Sequence, residues 1–183
     1  MTATAVRTPL TDLVTRIRAV VSRGLSEGET AFEVANYLRP ALTVPGLLTD
    51  EQRQGSVDGY TQHVLHVEPD GGFSVVALVW LPGQATPVHD HVSWCAVGVY
   101  EGQETETLYR LAGRKGRRQL VVSGSTVNRR GTVSGIAPPG DIHHVSNSGT
   151  TTAISLHVYG ADINLLGSSI RRCYDDAPGA PRG

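Results

Sequence analysis

The sequence predicts a mainly β chain, an antiparallel barrel or sandwich with a helical cap at its N-terminal end. Three observations predict it. The first ~55 residues place apolar side chains at helical spacing. From Tyr60 onward the texture changes to short β-rich runs broken by Gly, Pro, Asn and Asp. The chain has 183 residues, enough for a single domain with a substantial core and too few for two of ordinary size.

The elements follow in order. The opening ten or so residues read as a loose tail. Thr11-Asp12 offers a helix start, with Leu13, Ile17, Val20 and Val21 at helical spacing and Gly24 as the end. Ser26 to Leu38 reads as a second helix, with Phe32, Ala35 and Leu38 on one face and Pro40 as the stop. A short third helix begins at Thr49-Asp50. The cap thus covers about 11–55. About eight strands follow over 60–174: Tyr60–Glu68, Phe73–Leu81, Ser93–Tyr100, Glu104–Arg110, Gln119–Val127, Gly131–Ala137, His144–Asn147 and Thr151–Tyr159. The tail from Asp175 to Gly183 carries Pro, Gly and Asp and reads as frayed.

Composition limits the function. The formal net charge is −1, with acids and bases dispersed, so neither nucleic acid nor an anionic membrane is the expected partner. The densest basic stretch, Arg114, Lys115, Arg117 and Arg118, sits among glycines and reads as a solvated turn. The two cysteines, Cys95 and Cys173, make no disulfide framework. No apolar run reaches the length of a membrane span. Asp12, Arg16 and Arg18 interrupt the N-terminal apolar positions, so no secretory pattern is expected there. The expected location is cytoplasmic.

His89-Asp90-His91 is the first chemical signal. On a strand, residues i and i+2 share a face, so both imidazoles can reach one metal. Gly83 stands six residues before His89 and Gly102 eleven after His91; further on, Pro138-Pro139-Gly140-Asp141-Ile142-His143 is followed by Asn147. Together these resemble the two cupin motifs, G-x5-HxH-x3-E-x6-G and P-x-G-x2-H-x3-N. Two departures stand out. Cys95 occupies the glutamate position, and Gly131 lies one residue too far away to open the second motif. The resemblance implies a jelly-roll barrel and a metal on His89, His91 and His143. His144 competes for the third place, but on an extended segment it would face the other way. Three imidazoles are neutral and leave open positions on the metal. By ligand type alone they suit iron, zinc, copper or nickel.

Ser155, His157 and Tyr159 alternate with Ile154, Leu156 and Val158, so both faces of that strand look buried. The polar face should therefore be hydrogen-bonded, either as a polar ladder or as a relay orienting a tyrosine hydroxyl toward the metal. At this point the chain resembles the thiol dioxygenases, the family of cysteine dioxygenase and 3-mercaptopropionate dioxygenase. The likeness runs from about Tyr60 to Tyr174, in Y-T-Q-H, V-W-L-P-G-Q-x-T-P-V-H-D-H, G-D-I-H and S-L-H-V-Y-G. It implies ferrous iron, Fe(2+), on the three histidines, direct binding of the substrate thiolate to iron, and oxidation of a thiol to a sulfinate by O2. It also implies that Ser155, His157 and Tyr159 form the family's outer Ser-His-Tyr set. Cys95 and Tyr159 match the pair that animal-type cysteine dioxygenases join by a thioether; the alternative is a small buried thiol.

Gln62 takes the place of the arginine with which cysteine dioxygenases grip a carboxylate. Glutamine offers neutral donors where arginine offers a charged fork. The mercaptopropionate branch carries glutamine here, and V-H-D-H-V-S-W also looks more like that branch. Arg172 resembles an arginine that the branch carries after its tyrosine; the spacing is longer here, and Arg171 is an equal alternative. Asp90 is expected to face away from the metal. The expected function is an iron thiol dioxygenase acting on a small thiol carboxylate, 3-mercaptopropionate foremost. Cysteine dioxygenase is the nearest alternative. A cupin running another reaction, and a non-catalytic metal-binding sensor, also remain open.

Overall fold

The computed structural model describes residues 8–114 and 117–174. The two expected tails, apart from residues 8–10, and Lys115 of the basic turn therefore lie outside the described residues. Helix α1 (Pro9–Val21) starts earlier than Thr11-Asp12 predicts. Thr8 is its N-cap and accepts from the Thr11 N–H, and Pro9 takes the first helical position, where its missing N–H costs nothing. Helix α2 (Glu27–Ala41) opens with a reciprocal capping box between Ser26 and Glu29. Its buried stripe is Ala31, Val34, Ala35 and Leu38. Phe32 lies off that stripe and is 64% exposed, correcting its expected place on the core face. Pro40 falls in the last turn, and the helix runs one residue past it to Ala41. The third helix is a short 3-10 turn, Glu51–Arg53.

The strands are β1 (Thr61–Val67), β2 (Ser74–Trp80), β3 (His89–His91), β4 (Cys95–Glu101), β5 (Gln103–Ala112), β6 (Gln119–Arg129), β7 (Val133–Ile136), β8 (His143–Ser146), β9 (Ala153–Tyr159) and β10 (Ile170–Cys173). A one-turn helix, α3 (Ile163–Leu166), joins β9 to β10. All eight expected strands are present; β3, β10 and α3 add to them. Two five-stranded sheets form among the described residues, β1-β2-β9-β4-β7 and β10-β3-β8-β5-β6, and every strand pairing within each is antiparallel. The fold is the mainly β jelly roll with a helical cap that the motifs imply.

Strands β2 and β9 are buried along their whole length. On the outer face of the first sheet, Val75, Ala77, Val79, Ile154, Leu156 and Val158 join the core built by α1 and α2. On the inner face, Val76, Leu78, Trp80, Ala153 and Tyr159 fill the barrel. Two-sided burial explains why β2 reads as a continuous apolar run. The polar residues on the inner face of β9 are the exception, and they belong to the site.

Candidate metal centre

His89 and His91 share one face of β3, as the period of a strand requires, and His143 stands opposite His89 on the neighbouring β8. The ligand atoms of the three lie within 4.8 Å of one another, and all three side chains are buried. Their rings are edge-on or tilted to each other, with centroids 4.7–4.9 Å apart.

Each ring is held through Nδ1. His89 Nδ1 lies 2.9 Å from the Pro87 carbonyl, His91 Nδ1 lies 3.0 Å from Asp141 Oδ2, and His143 Nδ1 lies 2.8 Å from Glu106 Oε1. All three partners only accept, so each Nδ1 carries the proton and each Nε2 keeps its lone pair free. That is the state a metal requires, and the donor set fits a first-row divalent ion with open positions. Burial, helped by the neighbouring His143, pushes His89 down to about 3. Burial also lowers His91, against the pull of Asp141. Although burial alone would raise both carboxyls, the imidazoles hold Asp141 and Glu106 below the ordinary carboxylate range.

A narrow cavity of about 30 Å³ opens at the cluster, lined by the three histidines, Tyr60, Gln62, Cys95, His157 and Tyr159, together with Ser168, Ser169 and Ile170. Tyr159 Oη lies 3.1 Å from His157 Nδ1, and His157 Nε2 lies 2.9 Å from Ser155 Oγ. The three alternate residues thus form one continuous line of hydrogen bonds. Burial and the three cluster histidines push His157 down to about 3, so it is a neutral ring. Burial also raises the Cys95 thiol and the Tyr159 phenol well above their ordinary values. Cys95 pairs directly with Tyr159 across β4 and β9. Its Sγ lies 3.9 Å from His157 Nδ1.

Arg172 does not line this cavity, which corrects the expectation that it meets the substrate. Strand β10 lies beside β3 with Arg172 opposite Asp90, and Asp90 points away from the histidine cluster by strand alternation. A register shift between Ile170 and Arg172 lets both arginines reach the same carboxylate. Arg171 Nη2 lies 2.7 Å and Arg172 Nη2 2.9 Å from Asp90 Oδ2, and Tyr174 Oη lies 2.8 Å from it. Arg172 is 57% exposed. Ile170 faces the cavity instead. His144 stands apart from the cluster and pairs with Thr107 of β5, its Nε2 buried without a hydrogen-bond partner among the described residues.

Sequence reasoning missed Pro87, Asp141 and Glu106 as the groups that orient the ligands. Asp141 was within view, two residues before His143. Glu106 was hidden in Glu104-Thr105-Glu106-Thr107, an alternation that reads as a solvent face.

Residues 5–166 match the family model described as cysteine dioxygenase type I. The chain is 32% identical over 102 residues to cysteine dioxygenase type 1 of Danio rerio, which covers 55% of this chain and 50% of that protein. It is 30% identical over 102 residues to cysteine dioxygenase type 1 of Homo sapiens, with the same 55% and 50% coverage. The chain spans about half the length of the curated relatives it matches. Among solved structures, a recombinant oxalate oxidase in complex with glycolate is 21% identical, with a TM-score of 0.46 over 63% of this chain and 60% of that chain. A protein with a double-stranded β-helix domain from Klebsiella pneumoniae is also 21% identical, with a TM-score of 0.44 over 65% of this chain and 92% of that chain. Likeness at that level says nothing about chemistry.

Proposed function

Because the chain belongs to the cysteine dioxygenase type I family, we propose that it is an iron-dependent thiol dioxygenase that prefers 3-mercaptopropionate. The overall reaction joins one thiol and one O2 into a sulfinic acid, both oxygen atoms ending on sulfur. Iron on His89, His91 and His143 would supply the redox chemistry that couples O2 to the thiol. The observation that carries the reading is the line Ser155–His157–Tyr159, which ends in the cavity beside the histidine cluster. A module that merely held a metal would need no such line.

The protein's own work is binding, orientation and exclusion of water. Trp80, Leu78, Val97 and Val145 keep the cavity walls apolar. His157 keeps its neutral ring between Ser155 and Tyr159, so the phenol is held at a fixed place at the cavity edge. With its proton retained by burial, Tyr159 can give or accept one hydrogen bond at a bound substrate. Cys95 stands opposite Tyr159, and a thioether between them falls within this reading. An intact mass lower by a pair of hydrogens after turnover with O2, and unchanged in Cys95→Ser, would mark it.

Substrate choice rests on Gln62. Among the described residues lining the cavity there is no arginine or lysine, and Gln62 offers the carboxylate of a substrate neutral donors. Such a site gives little advantage to the gripped zwitterion of cysteine and suits the simpler mercaptocarboxylate. The test is competition. Iron-loaded protein given equal amounts of 3-mercaptopropionate and cysteine should make mostly the mercaptopropionate sulfinate, and Gln62→Arg should shift the product ratio toward cysteine sulfinate. Equal or greater cysteine sulfinate from the wild type contradicts the preference and returns the reading to a cysteine dioxygenase.

A further inference from the structure

Glu104 is a buried carboxyl that the reading above does not use. It stands on β5 and is 2% exposed. On a strand it shares its face with Glu106, which holds His143. One of the two carboxylates therefore serves a metal ligand, while the other points at the opposite sheet. Ser155 and Trp80 of that sheet are the groups that draw its carboxyl down against burial. Its Oε1 is buried with no hydrogen-bond partner among the described residues. Leaving an ionised carboxylate oxygen in that state is costly, whereas a neutral carboxyl is far cheaper to bury.

We infer that Glu104 is the fourth and terminal member of the Ser155–His157–Tyr159 line, a positioning residue whose proton sets the direction in which that line of hydrogen bonds runs. Trp80 Nε1–H donates to Ser155 Oγ at 3.2 Å and occupies one of its lone pairs. Ser155 then has one proton to give and one lone pair to offer, and two neighbours, Glu104 and His157. It must give to one and accept from the other. A neutral imidazole has the same property, one N–H and one lone pair, and so has the phenol of Tyr159.

Two arrangements result. With Glu104 neutral, its O–H donates to Ser155, Ser155 donates to His157 Nε2, His157 Nδ1–H donates to Tyr159, and the Tyr159 proton faces the cavity. With Glu104 ionised, Ser155 donates to the carboxylate, His157 donates from Nε2 to Ser155, and Tyr159 donates to Nδ1, presenting only a lone pair to the cavity. Moving each proton one place along the line converts the first arrangement into the second. One proton leaves Glu104 and one emerges at Tyr159, so charge and atoms balance. The groups that bear on this equilibrium are Glu106 on the same strand and Tyr159 across the barrel. Burial, reinforced by Glu106 against the pull of Ser155 and Trp80, lifts the Glu104 carboxyl to about 7. Both arrangements are then populated near neutral pH.

The inference rests on the proposed function only for its use in catalysis, and its test does not need turnover. The full chain, labelled with 15N at histidine and loaded with zinc, reports the His157 tautomer through its two ring nitrogen shifts. From roughly pH 5 to 9 the wild type should pass from the Nδ1–H to the Nε2–H form. The midpoint should fall near the Glu104 value of about 7. Glu104→Gln should abolish the response. Ser155→Ala, which cuts the line between the two groups, should silence His157 while the infrared band of the protonated Glu104 carboxyl still titrates. A His157 tautomer that stays constant in the wild type overturns the inference, as does one that still titrates in Ser155→Ala. Oxygen uptake absent with every thiol, beside a working tautomer switch, would sink the dioxygenase reading and leave this one standing.

Discussion

His91 shows how much of the site depends on groups one step behind the ligands. Asp141 Oδ2 takes hydrogen bonds from both the His91 backbone N–H, at 2.8 Å, and His91 Nδ1, at 3.0 Å. One carboxylate thus fixes the position and the tautomer of a ligand. Asp141→Asn keeps the shape but can present an amide N–H where an acceptor is needed, and Glu106→Gln does the same to His143. Each should weaken metal binding by about 10–100-fold. Titration of the metal-free protein with ferrous ion or zinc, followed by calorimetry, checks this. The ligands themselves were legible, because HxH on a strand and the P-x-G-x2-H segment carry their geometry in their spacing. Glu104 and Glu106 were not, since a buried acid and an exposed one look alike in a sequence. Only the group each meets in the fold tells them apart.

At the scale of elements, the cap and the last strand hold the barrel in different ways. Helix α2 crosses β7 so closely that a Cβ added to Gly135 would lie 2.6 Å from the Ala31 carbonyl carbon. That carbon, the Ala31 oxygen at 2.7 Å and the Phe32 nitrogen at 2.8 Å are all backbone atoms, which cannot yield cheaply. Gly135→Ala should therefore lower stability by about 1–3 kcal/mol, read as a drop in Tm, with the metal ligands untouched. Strand β10 is tied instead by charge. Burial opposes ionisation of Asp90, but hydrogen bonds from Arg171, Arg172 and Tyr174 overcome it and hold the carboxyl well below its ordinary range. A carboxylate lowered in this way adds stability above its unfolded pKa and loses it as the pH falls through the folded value. Asp90→Asn should consequently loosen β10 at neutral pH, seen as faster amide exchange at residues 170–173. Arg172 was misplaced from sequence for a related reason. Its distance from Tyr159 along the chain is visible, but α3 and the register shift in β10 decide which face its side chain takes.

Across the whole molecule, the change of texture at Tyr60 marked the passage from cap to barrel, and two-sided burial explains the unbroken apolar run of β2 and the buried polar face of β9. The same burial makes the metal-free protein sensitive to acid. His89 and His157 are each held at about 3, against 6.5 for an ordinary imidazole. Between those values the unfolded chain binds more protons than the folded one, so stability rises with pH and is lost as pH falls through that window. The Tm of the metal-free protein should decline steadily below about pH 6.5. His157→Gln should make the decline shallower, and an identical slope in wild type and variant would show that His157 contributes nothing to it.

In the proposed reaction both atoms of O2 reach sulfur in the cavity beside His89, His91 and His143. Iron-loaded protein should be supplied with 18O2 and, in separate reactions, with 3-mercaptopropionate, cysteine and cysteamine, with oxygen uptake and sulfinate measured together. The expected result is one O2 consumed per sulfinate formed, both labelled atoms on sulfur, and the fastest uptake with 3-mercaptopropionate. No uptake with any of the three thiols would contradict it.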